Sequence, residues 1–200
     1  MSDLSPDRVG CITGSRMSDM LAGGKGITRA KYAAQLAAER MTGKPHRSQF
    51  TSAAMEHGNE TESLARMQYE IRNGVMVEGT GSEFTKHPFI ARSGASCDGL
   101  VCDNGLVEFK CPDSHTFIGY LLSGEIPSVY RSQMTWQLAT TRRAWCDFVA
   151  FDPDLAQEDG YLQIRFMPTA KDITDLEREV RAFDAEVEQL IATIIRKRKP

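Results

Sequence analysis

The chain has 200 residues, of which 41% are hydrophobic and 26% are charged, and its formal net charge is −3. This length and composition are typical of one globular domain with a sizeable core. No run approaches the roughly 20 apolar residues of a membrane-spanning helix, and the polar segment 1–7 lacks the apolar core of a signal peptide. We therefore predict a single domain over residues 1–200 that stays in the cytosol and has no membrane partner.

Charge is distributed unevenly along the chain. Residues 1–50 carry eight Lys or Arg against four Asp or Glu, residues 172–188 are acid-rich, and residues 196–200 are basic. A basic N-terminal segment and an acidic C-terminal helix fit a DNA-binding surface on one side of the molecule. The simplest interpretation of the basic tail is a frayed, solvated end.

The cysteines and histidines give no metal-site signal. The five cysteines are scattered and contain no C-x-x-C pair, which predicts reduced, partly buried thiols rather than a metal cluster. The four histidines lack zinc-site spacing, and His57 is interpreted as a packing residue. The glycine-rich segment 23–26 lacks phosphate-loop spacing and predicts a turn.

Three helices are predicted in the first third of the chain. The first follows the candidate caps Thr13 and Ser15 and ends after Leu21. The second begins at Thr28 and ends near Gly43. One face of this second helix is predicted to be apolar and comprises Tyr32, Leu36 and Met41.

The third helix, 52–72, carries an acid close to its apolar face. Helical spacing predicts an inward face that comprises Met55, Leu64, Met67 and Ile71. Glu62 lies seven residues after Met55, on or near this face. An acid at such a position either extends out to solvent or points at a site.

Strands dominate the middle of the chain. Period-two and apolar runs predict strands at 75–78, 83–86 and 89–91, a hairpin at 98–110, and later strands at 144–151 and 161–166, the last a candidate edge strand. Helices are predicted between the hairpin and the later strands, at 114–122 and 128–141.

A long C-terminal helix is predicted over 172–196. Its apolar stripe is interpreted as core packing or a subunit contact and comprises Ile173, Leu176, Val180, Phe183, Val187, Leu190 and Ile194. Together the elements predict an α/β fold in which a mixed central β-sheet is flanked by helices and closed by the last one.

The hairpin carries the most informative residues. Asp98 opens its first strand, and Glu108 and Lys110 share one face of its second strand, with Phe109 on the other face. The signal for the turn is Asp103-Asn104-Gly105. Charged groups on largely buried strands are costly unless they are paired or bind a metal. The pattern therefore predicts a site for Mg²⁺ and an attacking water, as in a nuclease, although surface hairpins also commonly carry an acid and a lysine.

Several sequence blocks carry a family resemblance. In chain order they are R-x-G-x-I-T-G-S at 8–15, G-x₃-E at 58–62, S-x-D-G-L at 96–100, V-E-F-K-C-P at 107–112 and Y-x-x-Q at 130–133. Together these blocks resemble the lambda-exonuclease and YqaJ family of viral recombination nucleases, within the PD-(D/E)xK superfamily. The resemblance implies a restriction-endonuclease-like core.

The hairpin and the resemblance together imply a site with two Mg²⁺ ions, with Mn²⁺ as an alternative ion. Asp98 would bridge the ions, and Glu108 and the carbonyl of Phe109 would hold the ion that carries the attacking water. Lys110 would orient or deprotonate that water. Glu62 is implied as the ligand that completes the coordination shell of the second ion. Glu60 is an alternative candidate for the role of Glu62, but its spacing from Gly58 does not match the G-x₃-E block of the family.

The resemblance also implies a pocket for a terminal 5′-phosphate. Its counterparts map onto Arg8, Ser15, Ser96 and Gln133, and Gln133 is also counted with the catalytic residues. A guanidinium suits phosphate oxygens, and backbone N–H groups near a helix start favour anions. The alternative for Gln133 is a helix residue that is hydrogen-bonded to solvent.

The predicted function is a Mg²⁺-dependent 5′-to-3′ exonuclease that acts on double-stranded DNA ends and leaves 3′ overhangs for recombination. The resemblance also implies a ring-shaped homotrimer and a single-strand annealing protein as partner. One alternative is an endonuclease on the same core, which a phosphate pocket argues against. Another is an inactive DNA-end-binding module, which the complete core set of acids and lysine argues against.

Overall fold

The computed structural model describes residues 6–23, 27–46, 53–79, 81, 83–156 and 158–198, without the side chains of residues 53–60. The helices in these ranges are α1 (Met17–Leu21), α2 (Ile27–Thr42), α3 (Ala53–Asn73), α4 (Ser114–Ser123), α5 (Ser128–Thr141) and α6 (Ala170–Lys197). The strands are β1 (Ile12–Thr13), β2 (Val77–Glu78), β3 (Thr85–Lys86), β4 (Ser93–Ala95), β5 (Gly99–Val101), β6 (Gly105–Lys110), β7 (Trp145–Phe151) and β8 (Tyr161–Phe166). None of the described helices is long and apolar enough to cross a membrane.

The predicted mixed sheet is confirmed, but it is divided in two. A five-stranded sheet has the order β2-β5-β6-β7-β8, with β6 and β7 parallel and the other pairs antiparallel. β8 lies at its edge, as predicted. A smaller sheet has the order β1-β4-β3, with β1 parallel to β4.

Helices cover both faces of the larger sheet. Ala65 and Tyr69 of α3 pack on one face, while α4 and α5 cover the other through Phe117 and Met134. The long helix α6 begins at a capping box formed by Thr169 and Asp172 and packs on α2 and α5. Four residues of its predicted stripe are fully buried in the core, which confirms the core-packing interpretation for Leu176, Val180, Phe183 and Val187.

The predicted inward face of α3 is wrong. The side chains expected to face inward are exposed instead: Leu64 is 44% exposed, Met67 46% and Ile71 69%. The buried residues lie on the neighbouring face and are Thr61, Ala65 and Tyr69. The small side chain of Ala65 allows close contact with the sheet, and the hydroxyl of Tyr69 finds a buried partner there. Glu62 is half-buried beside this face.

The predicted strand at 89–91 is also wrong. Phe89 is 68% exposed and lies in the loop that joins β3 to β4. Pro88 has no N–H to donate to a sheet, and Arg92 adopts a left-handed conformation with φ 55°. The chain therefore turns at this point and forms its strand four residues later, in β4.

The predicted hairpin is confirmed as β5 and β6, with Gly99 opposite Val107. The turn itself is Cys102-Asp103-Asn104, and Cys102 has a φ of 47°. Gly105 already belongs to β6, where an added Cβ would lie 2.1 Å from the ring of Trp145. Glycine is therefore needed at position 105 because an aromatic ring packs closely against it, and not because of the turn.

Some predicted details near the N-terminus are wrong. Thr13 makes no side-chain capping hydrogen bond, and Ser15 lies inside the 3-10 turn that precedes α1. Met41 is 40% exposed, whereas the buried face of α2 holds Tyr32 and Leu36. The turn expected at 24–26 and the side chains of Met55, His57 and Glu60 lie outside the described residues.

Part of the positive charge of residues 1–50 is neutralised by the acidic helix α6. Arg29 lies 2.9 Å from Glu186. The side chain of Arg40 is only 6% exposed and lies 2.7 Å from Asp184 and 2.9 Å from Glu188. These two cations therefore join α2 to α6 and do not add positive charge to a DNA-facing surface.

Candidate active site

The hairpin brings its three predicted residues together. Oδ2 of Asp98 accepts a 2.8 Å hydrogen bond from the backbone N–H of Phe109. Nζ of Lys110 donates to Oε1 of Glu108, and it lies 3.1 Å from the carbonyl oxygen of Phe109. Glu108 and Lys110 share one face of β6, and Phe109 packs into the core on the other. The predicted alternation of faces is confirmed.

Glu62 approaches this group from α3. Burial raises the pKa of its carboxyl, the charge of Lys110 lowers it, and the charge of Glu108 raises it. The acid of α3 therefore lies within electrostatic range of the acid and the ammonium of the hairpin. Residues far apart in sequence are thus grouped near the end of the central strand β6.

The site has an excess of negative charge. Burial raises the pKa of Asp98 well above its usual range, and the nearby charges of Glu108 and Glu62 raise it further against the opposing effect of Lys110. The pKa of Lys110 is lowered by burial, but the charges of Glu108 and Asp98 more than offset this, so the net shift is upward. One ammonium therefore faces three carboxyl groups.

The chemistry of these donors fits Mg²⁺ or Mn²⁺. Carboxylate and carbonyl oxygens are the ligands that hard divalent cations prefer, and here they come from Glu62, Asp98, Glu108 and Phe109. Within the described residues, no group of three or more acid, His or Cys side chains is arranged so that it could hold a metal ion by itself. Mg²⁺ does not require such a group, since it usually keeps several waters and is bound by one or two carboxylates together with substrate phosphates.

Helix α5 supplies two amides to Glu108. Gln133 donates to Oε1 of Glu108, so the alternative in which this glutamine bonds only to solvent is wrong. Gln137 donates to Oε2 of Glu108 and was not predicted as a site residue. Its position four residues after Gln133, on the same helix face, is the signal that could have identified it. The ring of Tyr130 lies 5.2 Å from Nζ of Lys110.

The residues predicted for the phosphate pocket fall into two neighbouring pairs. Arg8 and Ser15 line one cavity of about 150 Å³, and Nη2 of Arg8 lies 3.4 Å from Oγ of Ser15. Gln133 and Ser96 lie next to them, because a Cβ added at Gly14 would contact the carbonyl of Gln133 and the side chain of Ala95. Ser96 and Gln133 do not line the cavity itself.

The cavity holds further polar side chains that the sequence did not indicate for this role. They include Arg16, Gln35, His46 and the buried carboxylate of Glu39, which accepts hydrogen bonds from Gln35 and from the backbone N–H groups of Gly10 and His46. Arg16 forms an ion pair with Asp19 and stacks on Tyr32. Much of its charge is therefore already compensated.

A buried polar cluster lies on the opposite face of the sheet, against α3. Asp147 is fully buried and accepts hydrogen bonds from Tyr69 at 2.8 Å and from Gln163 at 3.1 Å. Arg165 binds both oxygens of Asp147, at 2.8 and 2.9 Å, and stacks on Trp145. Within this cluster, the hydrogen bond from Tyr69 fixes α3, the helix that carries Glu62, to the sheet.

Two cysteines border the acidic group. Burial raises the pKa of Cys97 and of Cys111 to about 12, so both are neutral thiols near pH 7. A neutral thiol is a poor metal ligand. Oxygen atoms, rather than sulfur, therefore define the chemistry of this site.

Comparisons with known proteins identify the family of this chain. A family model described as a YqaJ-like viral recombinase domain matches residues 5–144. The structure of the alkaline exonuclease LHK-Exo from Laribacter hongkongensis is 39% identical and superimposes with a TM-score of 0.87 over 95% of this chain and 94% of that one. The same exonuclease in complex with dAMP, also 39% identical, gives a TM-score of 0.90 over 98% and 97% of the two chains.

A phage-related exonuclease from Haemophilus somnus 129PT shares the fold, with a TM-score of 0.70 at 17% identity over 92% of this chain and 96% of that one. None of the curated proteins matches the sequence significantly. The family model covers more than half of the chain, and the 39% identity extends over nearly all of it. The chain therefore belongs to the YqaJ-like viral recombinase family.

Proposed function

We propose that this chain is a metal-dependent exonuclease that degrades the 5′-ended strand of duplex DNA and leaves a 3′ overhang for recombination. That it is a nuclease follows from its family and from its likeness to an alkaline exonuclease over nearly the whole of both chains. The observation that carries the finer proposal is the grouping of Glu62, Asp98, Glu108 and Lys110, and a separate cavity that contains Arg8 and Ser15 supports it.

In this proposal Glu62, Asp98, Glu108 and the carbonyl of Phe109 would hold the Mg²⁺ ions. Bound divalent ions would supply a hydroxide near neutral pH and neutralise charge on the phosphodiester. The charge imbalance among the side chains supports this assignment, since buried carboxylates in excess are stabilised by a cation.

Lys110 acts as a cation rather than as a resting base. Its pKa is raised, on balance, by Glu108 and Asp98, so the ammonium keeps its proton near pH 7. Its contacts with Glu108 and the Phe109 carbonyl hold it beside the proposed metal ligands, where an attacking water would be activated. From there it orients that water and offsets the charge that develops on the phosphate.

Gln133 supports the reaction through Glu108. Its amide donates to Oε1 of Glu108 and so fixes the orientation of the carboxylate. In this proposal it also belongs to the end-binding group with Arg8, Ser15 and Ser96. A fixed ligand reduces the reorganisation that the reaction would otherwise require.

End recognition is the feature that separates an exonuclease from an endonuclease here. The guanidinium of Arg8 beside the hydroxyl of Ser15 is suited to a terminal 5′-phosphate. The related exonuclease has been obtained with dAMP, a deoxynucleoside monophosphate of the kind that stepwise digestion releases. Both observations support digestion from a 5′-phosphorylated end.

The family also supports proposals about assembly and location. We propose that the protein acts as a homotrimer around double-stranded DNA, together with a single-strand annealing protein, in the bacterial or phage-infected cytosol. Sedimentation velocity of the purified protein tests the trimer, and copurification with a candidate annealing protein tests the partner.

The activity is tested on one linear duplex that carries distinguishable labels at its 5′ and 3′ ends, beside a closed circular duplex. We expect Mg²⁺-dependent release of the 5′ label as mononucleotide, retention of the 3′ label on a growing single strand, and an intact circle. Cutting of the circle would instead identify an endonuclease. Binding to ends without any Mg²⁺- or Mn²⁺-dependent cleavage would identify an inactive end-binding module.

A further inference from the structure

Gln137 joins two parts of the site through a single nitrogen atom. It is buried on α5, and its Nε2 donates to Oε2 of Glu108 at 2.5 Å and to the backbone carbonyl of Ser96 at 3.1 Å. An amide –NH₂ group has two hydrogens, so both contacts are made at once. The side chain therefore connects β6 to the segment that precedes β5.

The orientation of this amide is fixed by its surroundings. If Nε2 and Oε1 were exchanged, an oxygen would face the carboxylate of Glu108 and the carbonyl of Ser96, and two acceptors cannot pair. In the orientation observed, Oε1 of Gln137 is buried and has no partner among the described residues. An unpaired buried acceptor costs stability, so packing alone does not account for a glutamine here.

The two groups that Gln137 holds have different tasks in the proposed function. Glu108 is a proposed metal ligand. Ser96 is a proposed ligand of the terminal phosphate, and it lies two residues before Asp98, whose carboxylate bonds to Phe109. The distance between the metal ligands and the end-binding segment therefore depends on this amide.

We propose that Gln137 is a positioning residue that holds Glu108 and the Ser96–Asp98 segment in one fixed relation, so that a single side chain sets both metal affinity and the preference for 5′-phosphorylated ends. This inference rests on the proposed function, which supplies the roles of Glu108 and Ser96. Gln133 also binds Glu108, but among the described contacts only Gln137 also binds the backbone of Ser96.

The test replaces the amide by a side chain of similar length that has no donor, in the variant Gln137→Met. The matched control is Gln163→Met, which removes an amide that donates to the buried carboxylate of Asp147 on the opposite face of the sheet. Thermal unfolding of both variants measures the purely structural cost. Gln137→Asn is a second variant, since it keeps an amide but is one methylene too short to reach both acceptors.

The first readout is the binding of Mn²⁺ without DNA, followed by the electron paramagnetic resonance signal of the free ion. Loss of a residue that orients a metal ligand commonly weakens affinity by about 10- to 100-fold. We expect a loss of this size in Gln137→Met and Gln137→Asn, and wild-type affinity in Gln163→Met. Equal affinity in wild type and both Gln137 variants would overturn the proposal.

The second readout is the binding of duplexes with 5′-phosphate or 5′-hydroxyl ends in EDTA, measured by fluorescence anisotropy. We expect the preference for the phosphate to fall in both Gln137 variants and to persist in Gln163→Met. Loss of metal affinity with an unchanged end preference would overturn the link to Ser96. If wild type itself lacked Mg²⁺-dependent cleavage, the proposed function would fail, whereas an active wild type with unaffected variants would refute only the role of Gln137.

Discussion

Asp98 shows at the scale of one residue how a functional site opposes stability. Its carboxyl is crowded by Glu108 and Glu62, and only Lys110 offsets their charge. A group whose pKa is raised on folding favours the unfolded chain once the pH exceeds its unfolded value. Near neutral pH, Asp98 therefore destabilises the metal-free fold.

Asp98→Asn should separate activity from stability. The amide oxygen of Asn can still accept the N–H of Phe109, while the repulsion among carboxylates disappears. We expect nuclease activity to be lost, and the free energy of unfolding in EDTA to rise by about 1 kcal/mol, as is common when a strained functional group is relieved. Urea unfolding measures the change. Asp103→Asn, in the exposed hairpin turn, is the control and should alter neither property; a destabilised or active Asp98→Asn would contradict the account.

Arg8 should determine the response to the DNA end. Because a charged hydrogen bond contributes about 1.5–3 kcal/mol, Arg8→Ala should slow digestion of 5′-phosphorylated ends by about 10- to 100-fold. Digestion of 5′-hydroxyl ends should change much less. Initial rates on the two duplexes check this, with Arg178→Ala on the exposed face of α6 as the control. Equal slowing on both substrates would argue against the pocket.

His87 should make the fold sensitive to acid. It stacks on Trp136, and its Nε2 lies 3.3 Å from Glu177. Burial lowers its pKa, Glu177 raises it, and Arg181 and Arg142 lower it, with a net downward shift. The neutral ring is thus favoured in the folded state, so stability is complete above the unfolded pKa of about 6.5 and is lost as the pH falls below it.

The variant His87→Phe keeps the stacking and removes the titration. We expect urea unfolding to show a smaller loss of stability in this variant than in wild type between about pH 7 and about pH 5. His115→Phe, at an exposed position in α4, is the control, and its free energy of unfolding should change with pH as that of wild type does. Parallel pH profiles for wild type and His87→Phe would show that His87 is not the acid-sensitive group.

At the scale of elements, α3 shows what a sequence pattern can and cannot reveal. The length of α3 follows from the sequence, but its buried face does not. Leu64 and Ile71 look like core residues because apolar spacing is the only local signal, yet the helix faces the sheet with Ala65 and Tyr69. This face is buried because Tyr69 bonds to Asp147, which lies 78 positions later in the sequence.

Tyr69→Phe tests this anchor of α3. Because the hydroxyl donates to a buried, charged Asp147, its loss should lower the free energy of unfolding by about 2 kcal/mol. Tyr161→Phe removes a hydroxyl that donates only to the neutral Gln163, and it should cost less. Urea unfolding of both variants compares them. A smaller effect at Tyr69 than at Tyr161 would remove Asp147 as the anchor.

Other elements are predictable because their signals are local. The hairpin follows from two short apolar runs and a turn, and α5 and β8 have the predicted bounds. The loop before β4 was missed because Phe89 suggested a strand, while Pro88 and the left-handed Arg92 decided against it. Local chain geometry overrode side-chain preference at that point.

At the scale of the whole molecule, the site is a meeting of distant segments. The hairpin contributes Asp98, Glu108 and Lys110, and these could be predicted because they are neighbours in one local structure. Glu62 and Arg8 were found through the family resemblance, since no local signal ties them to the hairpin. Gln137 was missed because its importance depends on two contacts across the fold.

Charge distribution likewise has meaning only in three dimensions. The excess of basic residues at the front of the chain suggested a DNA surface, but Arg29 and Arg40 are paired with α6. Arg8 remains at its cavity, where it lies 3.4 Å from the hydroxyl of Ser15. The electrostatic contribution to DNA binding therefore rests on fewer cations than the sequence indicates.

The central claim is that the acids of α3 and the hairpin form one divalent-metal site. Anomalous diffraction from crystals grown with Mn²⁺ tests it most directly. We expect Mn²⁺ within about 2.2 Å of carboxylate oxygens of Asp98 and Glu108 and of the Phe109 carbonyl, and its loss in Asp98→Asn. Mn²⁺ bound only elsewhere, or absent at a concentration that sustains DNA cleavage, would contradict the account.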